Sequence, residues 1–283
     1  MDFNRNKQNN TKTDVAWDKL YQMLENDGLL EDKNAQRTLN RTNRYKMLYA
    51  AAVFAICITS VWYLINTLQK EMLVLYNETN ALVLAKMLED GSVVYLSQQT
   101  SIKYPNHFND DKRAVTLQGD AFFDIRKQAG RPFFIDTEAA KVEVKGTSFS
   151  IKSYGKSSFL LSVREGEVLV TRKSNMQVIT VKSDEAVLFD AEQVQLIQQT
   201  TIFDQYFKHI HFKDEYLKNV ADIINLHSDN IKLKIDPDIE TRSITLALPE
   251  KINVAEIATL ICLASNLQHV LQNDSMIYIS NHK

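Results

Sequence analysis

The chain has 283 residues, of which 45% are hydrophobic and 24% are charged, and its formal net charge is -2. This balance shows neither the basic excess typical of nucleic-acid binding nor the acidic tracts typical of disorder. Seven glycines and four prolines are too few for a collagen-like or low-complexity protein. The length is sufficient for more than one domain.

The first predicted helix lies in the segment TDVAWDKLYQMLENDGLL, after a polar stretch, residues 1–12, that is predicted to be disordered. Four apolar side chains recur there at helical spacing and form one stripe: Trp17, Leu20, Tyr21 and Leu24. A helix of this length is marginal in water by itself, so the stripe needs something to pack against. The alternatives are the membrane surface, a small oligomer contact, or a groove on a cytoplasmic partner. The polar linker that follows the helix favours the partner.

Residues 47–68, MLYAAAVFAICITSVWYLINTL, contain no charge and reach the length of about 20 residues that an α-helix needs to cross a bilayer. Tyr49 near one end and Trp62 and Tyr63 near the other are typical of membrane interfaces. A signal peptide is disfavoured, because the run starts far from the N-terminus and has no small-residue cleavage site. The sequence therefore predicts one transmembrane helix.

Basic residues are unequally distributed around this predicted span. Five precede it closely: Lys33, Arg37, Arg41, Arg44 and Lys46. After it, Lys70 is followed by no basic residue until Lys86. Basic flanks stay on the cytoplasmic side, so residues 1–46 are predicted to be a short cytoplasmic tail and the rest to lie across the membrane.

Residues 69–193 show short runs of alternating apolar and polar residues, separated by turn signals such as Asp90–Gly91 and Glu165–Gly166. This spacing predicts an all-β domain, either a sandwich or a short β-solenoid. Residues 194–208 are interpreted as a connector. Residues 209–283 then give the order α, β, β, α, β, β, with Asn253 as a helix cap, and predict a small α+β domain that can fold alone.

The sequence contains few motifs that are typical of catalysis, phosphate binding or metal binding. There is no Gly-x-Ser-x-Gly, no phosphate-binding glycine loop and no His-Glu-x-x-His. His209 and His211 form a His-x-His pair, but no nearby cysteine or further histidine completes a metal site. We therefore predict no metal, no cofactor and no enzyme activity towards a separate substrate.

The stretch VEVKGTSFSI, residues 142–151, contains a shift in its alternation. Val142 and Val144 are apolar at even positions, whereas Phe149 and Ile151 are apolar at odd ones. Because a strand alternates its faces with a period of two, one residue has to be accommodated at Gly146–Thr147. Two interpretations remain open, a G1-type bulge in the strand or a site of reaction.

Four segments carry a family resemblance by their order and spacing: LEDGSVVYLSQQTSIKYP at 88–105, RAVTLQGDAFFDI at 113–125, RPFFIDT at 131–137 and VEVKGTSFSI. Together they resemble the FecR family of membrane-spanning anti-sigma factors. Residues 209–283 are similar to the secretin/TonB short N-terminal fold, which often forms the C-terminal domain of Bacteroidetes members. The stretch AWDKLYQMLENDGLL resembles the N-terminal helix of those members.

The resemblance implies an inner-membrane protein with a cytoplasmic tail that holds an extracytoplasmic-function sigma factor through Trp17, Leu20, Tyr21 and Leu24. A periplasmic part would receive the signalling domain of an outer-membrane TonB-dependent transducer. Regulated proteolysis would pass the signal across the span. Some members are cut at the equivalent Gly-Thr pair, which implies possible self-cleavage at Gly146–Thr147. The alternative function is a membrane-anchored periplasmic scaffold or carbohydrate-binding module.

Overall fold

The computed structural model describes residues 5–28, 33–68, 71–78, 82–156, 158–190, 193–198, 203–250 and 252–282. The chain forms two compact units, Met1–Gln69 and Lys70–Lys283, which are described separately.

The first unit consists of two helices, α1 (Arg5–Asn26) and α2 (Lys33–Leu68). Helix α1 begins at Arg5, within the stretch predicted to be disordered, which contains no glycine or proline to break a helix. Helix α2 begins at Lys33, so the predicted polar linker is largely helical. Its stretch Lys46–Tyr63 has a mean hydropathy of 1.5 and none of it is buried in the protein. Helix α2 is thus long and apolar enough to span a membrane.

The N-terminal part of the second unit is built from strands, as predicted. Their bounds are β1 (Met72–Asn77), β2 (Val83–Met87), β3 (Val93–Leu96), β4 (Thr100–Pro105), β5 (Arg113–Asp124), β6 (Phe133–Asp136), β7 (Ala140–Val144), β8 (Ser148–Ser153), β9 (Phe159–Glu165), β10 (Glu167–Arg172), β11 (Val178–Lys182), β12 (Glu185–Phe189) and β13 (Val194–Gln198). The residues between β2 and β3 form the predicted turn, with Gly91 at φ +79°. Strand β13 lies in the segment interpreted as a connector and pairs with β12, so that segment is partly sheet.

The strands form two sheets that share β5 and face each other across one hydrophobic core. The first sheet has the order β1-β4-β5-β6-β7-β10-β11, and the second runs β13-β12-β9-β8-β5-β3-β2. The first half of β5 pairs in one sheet and the second half in the other, with the change at Gly119. Among the described residues, four other passages between the sheets are tight: residues 97–99, residues 145–147, Gly166 and residues 183–184. We call these passages corners.

The stretch VEVKGTSFSI is one of these corners, which corrects its interpretation as a single strand. Val142 and Val144 belong to β7 in the first sheet, whereas Phe149 and Ile151 belong to β8 in the second. All four side chains are buried in the same core. The shifted alternation therefore marks the passage from one sheet to the other, because each sheet presents its inner face to that core.

The C-terminal part of the second unit contains all the predicted α+β elements and one additional strand. The elements are β14 (Ile210–Tyr216), α3 (Leu217–Leu226), β15 (Lys232–Ile235), β16 (Ser243–Ala247), α4 (Val254–Ser265), β17 (Gln268–Asn273) and β18 (Met276–Ser280). Asn253 caps α4 as predicted, its side chain accepting from the N–H of Glu256 at 2.9 Å. The missed strand β14 includes His211 of the His-x-His pair.

This α+β part continues the β part instead of standing apart from it. Strand β14 pairs in parallel with β2 and extends the second sheet to β16. A second core joins residues of both parts, with Tyr95 and Phe122 on one side and Phe212 and Leu217 on the other. Helices α3 and α4 lie between this extension and a three-stranded sheet of order β15-β18-β17. The β part (69–193) and the α+β part (209–283), predicted as domains joined by a connector at 194–208, thus share a sheet and a core.

Candidate functional sites

The apolar stripe of α1 is accessible. Trp17, Leu20 and Tyr21 are 59%, 44% and 60% exposed, and Leu24 is half-buried. Their spacing puts them on one face of the helix, as predicted. Aromatic and aliphatic side chains in this arrangement are suited to a groove on another protein, where they act as i, i+3, i+4 and i+7 anchors.

Gly146 lies at the corner between β7 and β8, directly against the backbone of Lys127. A Cβ atom added to Gly146 would lie 2.6 Å from the Lys127 Cα atom and 2.5 Å from its Cβ atom. Gly146 does not have a positive φ, so it is not the left-handed glycine of a G1-type bulge. Glycine is required here for space, which corrects the bulge interpretation. The nearest register shift lies in the β8–β9 pairing, where Arg164 is the extra residue.

Thr147 is 4% exposed and is bonded to both neighbouring segments. Its N–H donates to the Ile125 carbonyl at 3.2 Å, and its own carbonyl accepts from the Ile125 N–H at 3.0 Å. Its Oγ1 donates to the Glu167 carbonyl at 3.2 Å, across the next corner at Gly166. These bonds explain why a threonine suits this position structurally. They also hold the hydroxyl of the residue that follows Gly146 in a buried place.

A buried ion pair connects the Asp90–Gly91 turn to the start of β5. The Asp90 Oδ2 atom accepts from Arg113 Nη1 at 2.6 Å, and both side chains are fully buried. Arg113 also donates to the carbonyls of Arg126 and Arg131, at 2.9 and 3.0 Å, and lies over the Phe133 ring. The sequence reasoning missed this pair. The sequence does contain an indication of a buried charge, because Arg113 alternates in phase with Val115 and Leu117 on the inward-facing side of β5.

A second buried pair joins the β part to the α+β part. Glu215 on β14 is fully buried, and its Oε2 atom lies 2.9 Å from the Lys86 Nζ atom on β2. The carboxylate also accepts from Asn219 Nδ2 at 2.6 Å. Asp214, at φ +49°, occupies the register shift in β14 that turns Glu215 inward.

Tyr206 makes a further link between the two parts. Its hydroxyl donates to Asp120 Oδ1 at 2.5 Å, and Lys152 Nζ lies 3.3 Å from the other carboxylate oxygen. Burial, followed by the charge of Asp120, raises the pKa of Tyr206, so the hydroxyl stays protonated and can donate.

The α+β part contains an apolar cavity with a volume of about 400 Å³. It lies between the end of α3 and the start of α4, with Phe207, Phe212 and Ile257 in its walls and His227 at its side. Its size and lining are suited to an apolar group of a ligand or partner.

Residues 81–169 match the family described as FecR protein. No curated protein matches the chain. Two solved structures of candidate anti-sigma factors from Parabacteroides distasonis are similar to it. One is 20% identical with a TM-score of 0.46 and the other 22% identical with a TM-score of 0.45; each alignment covers 75% of this chain and all of the solved chain. The family resemblance predicted from the sequence is thus confirmed: residues 81–169, which contain the Asp90 turn, buried Arg113 and the corner at Gly146–Thr147, match the FecR family.

Proposed function

We propose that this protein is a transmembrane regulator of an extracytoplasmic-function sigma factor. The observation that carries the proposal is the FecR-family match at 81–169, placed in one chain after a helix apolar enough to span a membrane. The accessible stripe of α1 supports it, because a sigma-binding tail needs an apolar anchor.

The proposed topology has residues 1–46 in the cytoplasm, one span at 47–68 and the remainder in the periplasm, anchored in a bacterial inner membrane. The excess of lysine and arginine before the span supports this orientation. Alkaline phosphatase fused after Lys283 should be active and the same enzyme fused before Met1 inactive. The reverse result would contradict the topology.

The sigma factor would bind the α1 stripe. Trp17→Ala with Leu20→Ala removes two exposed anchors, and Val15→Ala is the matched control, because Val15 is 65% exposed on the opposite face of α1. In a two-hybrid assay against the organism's extracytoplasmic-function sigma factors, the double variant should lose the interaction and Val15→Ala should keep it. Target-gene transcription should change only in the double variant. Equal behaviour of the two variants would refute the proposal.

The outer part would receive a signal from a TonB-dependent transducer of the outer membrane, through the β part, the α+β part or a sheet edge. A single span cannot easily transmit a small rotation, so regulated proteolysis that frees the tail is the proposed relay. With an N-terminal epitope tag, induction should convert the full-length chain to a tail-sized fragment. Induced transcription without that fragment would refute the proteolytic step.

We also propose self-cleavage at Gly146–Thr147. The Thr147 hydroxyl would attack the Gly146 carbonyl carbon, the C–N bond would break, and the nitrogen would take up the proton to leave a free amino group. Water would then hydrolyse the resulting ester, giving a Gly146 carboxylate and restoring the hydroxyl. The burial of Thr147 in the position directly after Gly146 supports the step.

Mass spectrometry of the purified chain tests this chemistry. Fragments 1–146 and 147–283 should form with Thr147 and with Thr147→Ser, but not with Thr147→Val, which keeps the shape and removes the hydroxyl. An intact wild-type chain after prolonged incubation would contradict self-cleavage and leave the sigma-regulating proposal unaffected.

A further inference from the structure

A polar pocket lies beside the corner at residues 97–99, where β3 leads to β4. Its volume is about 410 Å³, which is within the range of small-molecule sites. Among the described residues, six of its eight lining side chains are polar: Ser97, Gln98, Gln99, Asp120, Tyr154 and Gln205. This polar pocket is lined by a different set of residues from the apolar cavity of the α+β part.

The walls of the polar pocket are held in place by hydrogen bonds within the protein. The Ser97 N–H donates to the Asp120 carbonyl at 2.9 Å, and the Gln99 N–H donates to the Asn77 carbonyl at 3.0 Å. Asn77 is buried, and its Nδ2 atom donates to the Leu82 carbonyl at 2.7 Å. A pocket whose backbone is already fixed loses little conformational freedom when a ligand binds.

Several hydrogen-bonding groups of the pocket are available to a ligand. Within the part of the chain that the structure describes, the side-chain amides of Gln98 and Gln99 are exposed and make no hydrogen bond to another residue. Asp120 is 9% exposed; its Oδ1 atom accepts from the Tyr206 hydroxyl, and its Oδ2 atom lies 3.3 Å from Lys152 Nζ. Because a carboxylate has about four acceptor positions, both oxygens can accept further bonds. The pocket thus offers donors and acceptors together.

The charges around the pocket indicate an uncharged ligand. Asp120 is the one ionised side chain in the described lining, and Lys152 already compensates it. A cation would have to compete with Lys152 for the carboxylate. An anion would meet that carboxylate without a lysine or arginine in the described lining.

Tyr154 adds an aromatic surface to these polar groups. It is 54% exposed, and burial, followed by the charge of Asp120, raises its pKa, so the phenol stays neutral. A sugar carries hydroxyls that donate and accept around its ring and C–H groups on the faces of the ring. It can therefore lie against a tyrosine ring while its hydroxyls bond to amides and a carboxylate. An apolar ligand would remove the amides from water without pairing them.

We propose that this pocket binds a neutral sugar, either as a monosaccharide or as the end of a larger saccharide. Gln98, Gln99 and Asp120 form hydrogen bonds with its hydroxyls, and its ring lies against Tyr154. The site adds direct ligand binding to the proposed sigma-regulating function and does not depend on that function.

Saturation-transfer NMR on the full chain in lipid nanodiscs tests the site, with no sugar-based detergent present. The neutral probes are glucose, galactose, mannose, xylose and N-acetylglucosamine. Glucuronate and glucosamine are the charged counterparts, and N-acetylglycinamide is an amide ligand without hydroxyls. At least one neutral sugar should bind saturably, and both charged sugars should bind more weakly than that sugar.

The amides are tested by Gln98→Ala with Gln99→Ala, which should weaken binding of that sugar by about fivefold or more, because two hydrogen-bonding groups are lost. Gln193→Ala with Gln195→Ala is the matched control. Both of these glutamines are exposed and lie at β13, outside the lining of the pocket. The control variant should bind like the wild type.

The aromatic surface is tested by Tyr154→Ala, which should also weaken binding by about fivefold or more, because the ring contact is lost. The matched control is Tyr216→Ala, since Tyr216 is 52% exposed and does not line the pocket. It should leave the affinity unchanged.

Four results would overturn the proposal: no saturable binding of any neutral sugar, tighter binding of a charged sugar, binding of N-acetylglycinamide alone, or equal losses in a pocket variant and its control. Trp17→Ala with Leu20→Ala should bind the sugar like the wild type. A failure here is therefore distinguishable from a failure of the sigma-factor experiment.

Discussion

Replacing Asp90 by alanine should strongly destabilise the second unit, because it removes the partner of a buried cation. The carboxylate accepts from Arg113 Nη1 at 2.6 Å, from Ser92 Oγ at 2.7 Å and from the Ser92 N–H at 3.1 Å. After its loss, the Arg113 guanidinium keeps two backbone carbonyls and the Phe133 ring, but no counter-charge. Breaking a buried ion pair in this way costs about 3–5 kcal/mol of unfolding free energy. This is a large share of the roughly 5–15 kcal/mol typical of a folded protein.

Urea unfolding of residues 70–283 gives the measurement. Circular dichroism is the suitable signal, because both tryptophans of the chain, Trp17 and Trp62, lie outside this unit. Asp110→Ala is the matched control, since Asp110 is an exposed aspartate in the same part of the chain. It should change the unfolding free energy by less than about 0.5 kcal/mol. The denaturant slope should stay constant if both variants unfold to the same state.

A double variant separates the two causes of the loss. Asp90→Ala with Arg113→Met removes the uncompensated charge together with its partner, and an apolar replacement of a buried pair is often neutral. The double variant should therefore be more stable than Asp90→Ala alone. A loss below about 1 kcal/mol for Asp90→Ala, or a double variant less stable than the single one, would refute the view that the carboxylate compensates a buried charge.

Three further outcomes are expected. Gly146→Ala should lower the unfolding free energy by about 1–3 kcal/mol in the same urea assay, because its Cβ would overlap the Lys127 backbone. Lys145→Ala, at the exposed neighbouring position, should be nearly neutral. Equal losses of unfolding free energy in the two variants would contradict the steric argument. Glu215→Ala should speed amide hydrogen exchange in β14 and α3 more than in β12, because it leaves Lys86 without its carboxylate; uniform exchange would speak against a local link. A chain cut at Gly146–Thr147 should elute from a size-exclusion column as one species in native buffer and as two in urea. The reason is that the strand pairs β5–β8, β7–β10 and β2–β14 each join the two fragments. Separation in native buffer would show that these strand pairs do not keep the fragments together.

Much of the fold was predictable because its signals are local. Alternation along β4 and β5, the Asp90–Gly91 turn and the Asn253 cap each depend on residues within a few positions of one another. The order of the α+β elements followed from the same local patterns. Trp17, Leu20 and Tyr21 were placed on one face because helical spacing alone determines it.

The corners could not be recognised from alternation. A one-residue shift of phase, as between Val144 and Phe149, arises equally from a bulge within a strand and from a passage between two facing sheets. Only the partner strands distinguish the two cases. Strand β7 pairs with β6 and β10, whereas β8 pairs with β5 and β9. These pairings are determined by the tertiary structure and not by the local sequence.

The buried pairs were missed for a related reason. Arg113 and Asp90 are 23 positions apart, and Glu215 lies on a strand whose register shift obscures its inward direction. A charged residue in the inward phase of a strand indicates a buried partner, but not which residue that partner is. The docking of the α+β part on β2 was similarly unpredictable, because β14 carries charges that weaken its strand signal.

The shared sheet and core have a consequence for any partner that binds the second unit. The family match ends at residue 169, yet the second sheet continues through β12 and β13 on one side and through β14 and β16 on the other. Because the β and α+β parts share Tyr95, Phe122 and Phe212 in one core, separating them would expose buried aromatic surface. Strand β1 differs, since within the described residues it pairs with β4 alone and only three residues separate it from the end of α2. A change at β1 would therefore act on the strand nearest in sequence to the proposed span, without requiring the β and α+β parts of the second unit to move apart.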